Sequence, residues 1–550
     1  MLQITLKRFS DYYSRKNRWW IPFLCGLPFI VALPPFNHEL HPIFSLFPVL
    51  NLVVIVPLLS VSLQRSRRRA VLHAWLYGTS IGFGQCFWLY FVKIEGLWLL
   101  IVFAMLLLSA FVGLFFLVAG MAFRWSYRAF PRLYLLFYPA CWILIDYSRT
   151  LGELCFPWGF LGYNFTPVLP ISQFASLTGV WGVTFIAVMG NLIVWEVLVA
   201  LYRTGSCRSV LPCAAIFTVA VAACAVWGYV RVAGISSGAQ SVEVALLQTS
   251  IDQLNWGTSS LDTSFAITDS MVKSASTCRP DLIVGPESAL LCFLSRQSVY
   301  RRRVCGLADS AGIPILLGAL HWDRAPQGSV YDYLVYNTAF LIRPGQCELE
   351  PYRKIILVPF SENFPFEVTF PILSRVNLGE ADFKRGKEHV VYRVNDSVRA
   401  APVICYEMAF PGFVRKRLQK GANLLVHITN DGWFGRTTGP HQHAIMARMR
   451  CIENGVGMAR CAITGVSMFV DPSGRVSGKT GLGERTILYG SVPLRSATTL
   501  YARYGDWFVV LCAVLSIFFI PTGVLRQFFL KKRSAADCSP PPGMDTHLKT

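Results

Sequence analysis

The stretch "PVICYEMAF", Pro402 to Phe410, begins as an apolar run and closes on a cysteine, a tyrosine and a glutamate. A run of that kind reads as a buried strand carrying its chemistry at one end. Similar segments surround it: "SVEVALLQT", "DLIVGPES", "IPILLGAL", "VYNTAFLIRPG", "ANLLVHITND" and "ARCAITGVSMFVDPSG". Helical stretches such as "HQHAIMARMRCIEN" lie between them. Apolar strands alternating with helices predict an α/β sheet covered by helices, spanning residues 241–495.

The flanks of this region have a different composition. The 550-residue chain is 53% hydrophobic and 15% charged, a balance that places part of it in lipid. Crossing a hydrocarbon core of roughly 30 Å takes about 20 helical residues. Seven apolar runs of that order precede residue 235: Trp19 to Leu33, Ile43 to Leu63, Val71 to Val92, Leu97 to Phe123, Leu133 to Tyr147, Val180 to Leu201 and Val210 to Val230. An eighth, Trp507 to Leu525, follows the α/β region. The expected organisation is a seven-helix membrane domain over 1–235, the α/β domain over 241–495, a closing membrane helix over 506–526 and a tail over 527–550. The first run lacks a small-residue cleavage site, which argues against a cleaved signal peptide.

Lysine and arginine set the orientation, because short cytoplasmic loops hold an excess of both. They crowd the N-terminus, the "QRSRRR" loop, the surroundings of Arg124 and Arg128, the turn with Arg203 and Arg208, and "KKR" at 531–533. The alternation predicts cytoplasmic termini and an outward-facing 241–495 segment. Much of the +20 net charge is this topological signal. Without a basic and aromatic motif it does not indicate nucleic-acid binding. The outer segment holds Cys278, Cys292, Cys305, Cys347, Cys405, Cys451 and Cys461, an odd number with no CxxC pair and no zinc-like spacing with histidine. At least one is expected to stay free or to pair outside the chain. No metal or cofactor is expected.

Polar residues at strand ends in such a sheet commonly build the site. Glu287 follows "DLIVGP", Cys405 follows "PVI", Asn430 and Asp431 follow "LLVHIT", and Lys354 stands in "EPYRKIILVPFSENFPF". Each also has a structural reading. Cys405 can be a small hydrophobe, Glu287 a turn carboxylate or cap, Lys354 a solvated charge beside Arg353, and Asn430 with Asp431 simple turn chemistry before Gly432. Taken together, Glu287, Lys354 and Cys405 supply a base, a cation and a thiol nucleophile. "LLCFL" and "DGWFG" read equally as lipid-dipping loops or as core.

"GPES" with Glu287, "YRKIILVPFSENFP" with Lys354 and "VICYE" with Cys405 resemble, in order and spacing, the Glu-Lys-Cys motifs of the nitrilase superfamily. "QTSIDQLNW" with Trp256, "NDGWFG", "GPHQHAIMARMRCIENG", "TGVSMFVDPSGRV" and the helical blocks extend the likeness over nearly the whole chain. Within that superfamily the chain resembles the apolipoprotein N-acyltransferases. The resemblance implies a multi-pass α-helical membrane domain plus a nitrilase-like αββα sandwich outside the bacterial inner membrane. It implies transfer of a fatty-acyl group from a phospholipid to the α-amine of a diacylated apolipoprotein, through a thioester on Cys405. Glu287 would be general base and acid and Lys354 the oxyanion partner, with Glu362, Tyr406 and Glu407 beside the site and Trp256 on a lid. Ser361, Asn363 and His427 depart from the family pattern at the site's edge. Two alternatives stay open: a membrane-tethered amidohydrolase, which would use water as acceptor, and a transporter with an outer binding domain. The transporter needs intramembrane charges, and Asp146 and Glu196 are the notable ones.

Overall fold

The computed structural model describes residues 20–27, 50–92, 98–130, 133–235, 240–251, 258–328, 332–367, 369–370 and 382–536. Trp256 lies outside the described residues.

Four described helices are long and apolar enough to cross a membrane: Trp98–Ala129, Val180–Thr204, Leu211–Ile235 and Trp507–Arg526. Arg67–Cys86 and Tyr134–Ser148 are helices where two further apolar runs were expected. The first two runs are described only in part, as the helices Ile21–Gly26 and Val56–Ser62. Small residues bring these helices close together. A Cβ on Gly113 would stand 2.4 Å from Thr79 Oγ1, so glycine permits the crossing of Trp98–Ala129 over Arg67–Cys86. Leu99, Phe103, Leu106, Leu107 and Leu114 on one helix, and Ile216, Val219, Val226 and Val230 on another, are exposed. In water so broad an apolar band would drive association; facing acyl chains it is matched to its surroundings. This is a membrane protein.

The two ends of the bundle differ. At one end Arg124 donates to the carbonyls of Ser62 (2.8 Å) and Gln64 (2.6 Å), and Arg526 to that of Ala129. The other end is joined to the α/β domain.

That domain contains β1 (Ser241–Gln248), β2 (Leu282–Val284), β3 (Leu290–Phe293), β4 (Ile315–Arg324), β5 (Tyr333–Arg343), β6 (Gln346–Arg353), β7 (Tyr392–Arg393), β8 (Arg399–Ile404), β9 (Leu424–Thr429), β10 (Gly457–Ala462), β11 (Met468–Val470), β12 (Val476–Lys479) and β13 (Thr486–Pro493). One sheet runs β13-β1-β2-β4-β5-β6, with β3 also on β4; the other runs β12-β11-β10-β9-β8-β7. Each is parallel at its centre, where helices make the crossovers that parallel pairing requires, and antiparallel at its edges. Alternation along β8 assigns its side chains to two cores: Ala400 and Ile404 face the other sheet, while Ala401 and Val403 face outward. The result is an αββα sandwich. Thr258–Ser276 and Ser298–Ala311 cover the first sheet. Pro411–Gln419 and Gly439–Asn454 cover the second, in a core continuous with the membrane helices.

Two readings are refined in detail, and the odd cysteine count leaves free thiols as expected. "ARCAITGVSMFVDPSG" is two antiparallel strands, β10 and β11, rather than one run. "LLCFL" is β3, whose Leu290 and Cys292 sit in the outer helical core rather than near lipid. Cys305 and Cys347 form a disulfide, tying Ser298–Ala311 to edge strand β6, while Cys278, Cys292, Cys405, Cys451 and Cys461 are free thiols.

Candidate active site

Cys405 follows β8 directly and starts the short 3-10 turn Cys405–Ala409. Its backbone has φ +48°, and Ser288, which follows Glu287, has φ +51°. Non-glycine residues held in this left-handed region are strained and collect at functional sites. The Glu287 loop can approach because β4 carries Gly318, where a Cβ would stand 2.8 Å from the Glu287 Cα.

Glu287, Lys354 and Glu362 are all buried, Lys354 to 1% exposure. Lys354 donates from Nζ to Glu362 Oε1 at 2.8 Å and to Glu287 Oε1 at 3.3 Å. Asn337 on β5 bridges the same two oxygens, at 2.7 Å to Glu287 and 3.2 Å to Glu362. The backbone N–H of Asn430 donates to Glu287 Oε2 at 2.6 Å, and that of Val358 to Glu362 Oε2 at 2.9 Å. The solvated reading of Lys354 therefore fails: burial disfavours its charge, but Glu287, Glu362 and Cys405 hold its pKa well above the usual lysine range. Neighbouring Arg353 points elsewhere and pairs with Asp323 at 2.8 Å.

Burial pushes the Cys405 thiol up strongly; Glu287 and Asp431 push the same way, and Lys354 opposes them. A thiol in this setting needs a base within reach before it can attack. Lys354 is bonded to Glu287, and one Glu407 carboxylate holds the backbone beside both Lys354 and Cys405, so the three residues meet at the seam between the two sheets.

Glu407 is fully buried and faces backbone. It accepts from Tyr352 Oη (2.6 Å) and the N–H groups of Ile355 (2.7 Å) and Ile404 (2.8 Å). One carboxylate thus ties the residue after Lys354 to the residue before Cys405. Tyr406 donates from its hydroxyl to the carbonyl of Cys155 at 2.8 Å, anchoring the cysteine turn to the membrane domain. Further ties run from Trp158 Nε1 to Gln442 (2.6 Å) and from the Val180 N–H to Glu453 (2.8 Å). Burial raises Glu453 to about 7. Phe434 of "DGWFG" packs edge-on against Trp88, with ring centroids 4.5 Å apart.

Asn430 does perform turn chemistry, its side chain accepting from the Gly432 N–H at 3.1 Å. Asp431 does not. It is buried and accepts from Arg460 Nη2 (2.6 Å) and Thr429 Oγ1 (2.9 Å), and it is hydrogen-bonded to His443 Nδ1 (2.9 Å). Burial works against its charge, but Arg460 and His443 bring the carboxyl below its usual range. Sequence reasoning missed Asn337, His443 and Arg460. The available signals were a polar residue inside "VYNTAF" and an arginine inside the apolar "GMARCA", which demands a buried acid.

The chain is similar to known proteins along most of its length. Residues 243–502 match the Carbon-nitrogen hydrolase family model, and residues 25–193 match that of the Apolipoprotein N-acyltransferase N-terminal domain. The apolipoprotein N-acyltransferase of Geobacter metallireducens is 29% identical over 84% of this chain and 88% of its own. That of Chlorobaculum tepidum is 30% identical over 89% and 93%. That of Bradyrhizobium diazoefficiens is 31% identical over 89% and 92%. A membrane bundle fused to an αββα sandwich, and relatives matched along almost their whole length, lead to one conclusion: the chain belongs to the apolipoprotein N-acyltransferase family.

Proposed function

We propose that Cys405 is the acyl carrier of a two-step transfer from a membrane phospholipid to the N-terminal α-amine of a diacylglyceryl-modified apolipoprotein. The observation that carries this reading is the buried ammonium of Lys354, held between Glu287 and Glu362 with its charge acting on Cys405. In the first step Glu287 takes the thiol proton and Sγ attacks the ester carbonyl. Lys354 stabilises the oxyanion, and collapse expels the lysophospholipid, which leaves with the proton from Glu287. In the second step the amine attacks the thioester, Glu287 removes its proton, and the thiolate departs and is reprotonated as the amide forms. Glu362 and Asn337 hold Lys354 and Glu287 in place, and Glu407 and Tyr406 fix the cysteine turn. Joining the site to the bundle keeps both lipid substrates in the bilayer, since exposing acyl chains costs roughly 0.8 kcal/mol per CH₂.

The catalytic domain faces the periplasm from the bacterial inner membrane, with both termini cytoplasmic. Two observations support this. The basic loops gather at the bundle end away from the sandwich, and the sandwich carries a disulfide, as suits an oxidising compartment. Reporter fusions after Arg69 and Lys532 should be cytoplasmic and one near Ser241 external; a cytoplasmic Ser241 reporter overturns the orientation.

The test of the chemistry is the intermediate. Incubated with phospholipid alone, the protein should gain one fatty-acyl mass on a Cys405 peptide, labile to neutral hydroxylamine. A diacylated lipopeptide should then discharge it as an N-acyl product, and Cys405→Ser should lose turnover. A label on Cys451 or Cys461, or discharge to water as fast as to the amine, would return the site to a tethered hydrolase.

A further inference from the structure

Two imidazole nitrogens face the carbonyl oxygen of Cys405, His443 Nε2 at 3.1 Å and His427 Nε2 at 3.2 Å. Both rings are buried, and each is held from behind. Arg460 Nη1 lies 2.6 Å from His427 Nδ1; a guanidinium can only donate, so that nitrogen accepts and the proton of His427 sits on Nε2, aimed at the carbonyl. Burial and the Arg460 charge push His427 well below its usual pKa, in keeping with a neutral ring. His443 stands between two acceptors, Asp431 Oδ1 at 2.9 Å from Nδ1 and the Cys405 carbonyl at Nε2, so it donates to both only as the imidazolium, which burial and the Arg460 charge disfavour and Asp431 favours; Arg460 also holds the other oxygen of Asp431 at 2.6 Å. The same Asp431 Oδ1 accepts from Thr429 Oγ1 at 2.9 Å. One buried ion pair therefore stands behind both imidazoles that face the peptide oxygen of a residue whose backbone is strained at φ +48°.

We propose that His443 and His427 are positioning residues that clamp the Cys405 carbonyl from the Asp431–Arg460 pair, holding the strained peptide so that Sγ stays aimed at Glu287 and Lys354. This rests on the reading of Cys405 as nucleophile. The conformer must persist through two transfers in which Sγ alternates between thiol and thioester, and a clamp on the backbone does not compete with the reaction for the sulfur.

The experiment uses the full chain in phospholipid nanodiscs with dipalmitoyl phosphatidylethanolamine as donor. It reads the single-turnover rate of thioester formation on Cys405 against donor fraction, the alkylation rate of Cys405 by iodoacetamide, and the melting temperature. His443→Leu removes the donor to the carbonyl, whereas His443→Gln keeps an N–H donor; His427→Val and His427→Asn form the matching pair. The Leu and Val variants should lose about 10- to 100-fold in maximal rate at unchanged half-saturating donor, since small misplacements of a reacting group have effects of that size. Alkylation should slow in parallel, and the Gln and Asn variants should recover to within about fivefold of wild type, as their restored donor realigns the group. If donor-lacking and donor-keeping variants act alike, or if only half-saturation moves, the clamp is wrong while Cys405 remains the nucleophile. If the wild type carries no acyl group on Cys405, the nucleophile reading falls and takes the clamp with it. Should a Leu variant fail to fold, the Asn and Gln variants still decide, because an intact melting temperature with a 10-fold or larger rate loss in both contradicts the clamp.

Discussion

The two sheets of the sandwich are built alike but bordered differently. The sheet with β8, β9 and β10 packs its outer face into a core shared with the membrane helices, and it carries Cys405. The sheet with β1, β2, β4, β5 and β6 is covered by two amphipathic helices and stapled at its rim by Cys305–Cys347, and it carries Glu287 and Lys354 near its strand ends. In the proposed mechanism the nucleophile is thus tied to the membrane domain, while the base and the cation come from the other layer. On that reading, catalysis depends on the register between the layers. Breaking a charge that crosses the seam should matter most, loosening the tie between the layers less, and releasing the far rim least.

The largest effect is expected at Lys354. Lys354→Met removes the cation and leaves Glu287 and Glu362 as two buried carboxylates facing one another, so thioester formation should fall by on the order of 10²-fold or more. Arg353 cannot substitute, because it is committed to Asp323 across the solvent side and its fork differs from an ammonium. Single-turnover acylation of correctly inserted protein measures this. Near-normal rates would show that the water-facing sheet contributes no charge to the oxyanion.

A middling effect is expected at Glu407, the tie between the layers. Glu407→Gln exchanges one acceptor oxygen for an NH₂ group, so one backbone N–H at Ile355 or Ile404 meets a donor instead of an oxygen. An unsatisfied buried donor costs about 1–3 kcal/mol, and that loss should appear in the melting temperature. Acylation should slow about tenfold at unchanged half-saturating phospholipid, because the register between the residues flanking Lys354 and Cys405 loosens without touching the lipid. An increase in half-saturation instead would place Glu407 in contact with substrate.

The layers also differed in how far the sequence disclosed them. Strands buried on both faces, such as β8 and β9, are continuous apolar runs, and their polar ends pointed to Cys405, Glu287 and Asp431 before any contact was known. Edge strand β6, "QCELEPYR", was not legible, because its mostly exposed residues leave neither an apolar run nor a clean alternation. Lys354 was found through its motif rather than through that strand. The partners of the site, Asn337, His443 and Arg460, come from segments far apart in sequence, so only the register of strands and the packing of Gly439–Asn454 brings them together. Asp431 shows the limit most clearly: beside Asn430 and Gly432 it reads as a turn residue, and only the buried guanidinium of Arg460 gives it another role.

The smallest effect on activity, with a measurable effect on stability, is expected at the rim. Cys305 and Cys347 are 42 residues apart, and closing a loop of that length restricts the unfolded chain by an amount typically worth 2–4 kcal/mol. The bridge joins helix Ser298–Ala311 to β6, on the side of the sheet facing away from Cys405 and the bilayer. Cys305→Ser should therefore lower the melting temperature of the sandwich while leaving the rate of thioester formation within about twofold of wild type at low temperature, since a change that moves no reacting group leaves the alignment intact. Reductant should lower the melting temperature of the wild type to that of the variant and leave the variant unmoved. A rate loss comparable to that of Glu407→Gln would mean that the rim sets the register after all, through β6 and the Lys354 that follows it, and the water-facing sheet would then have to be treated as one rigid arm from its disulfide to its lysine.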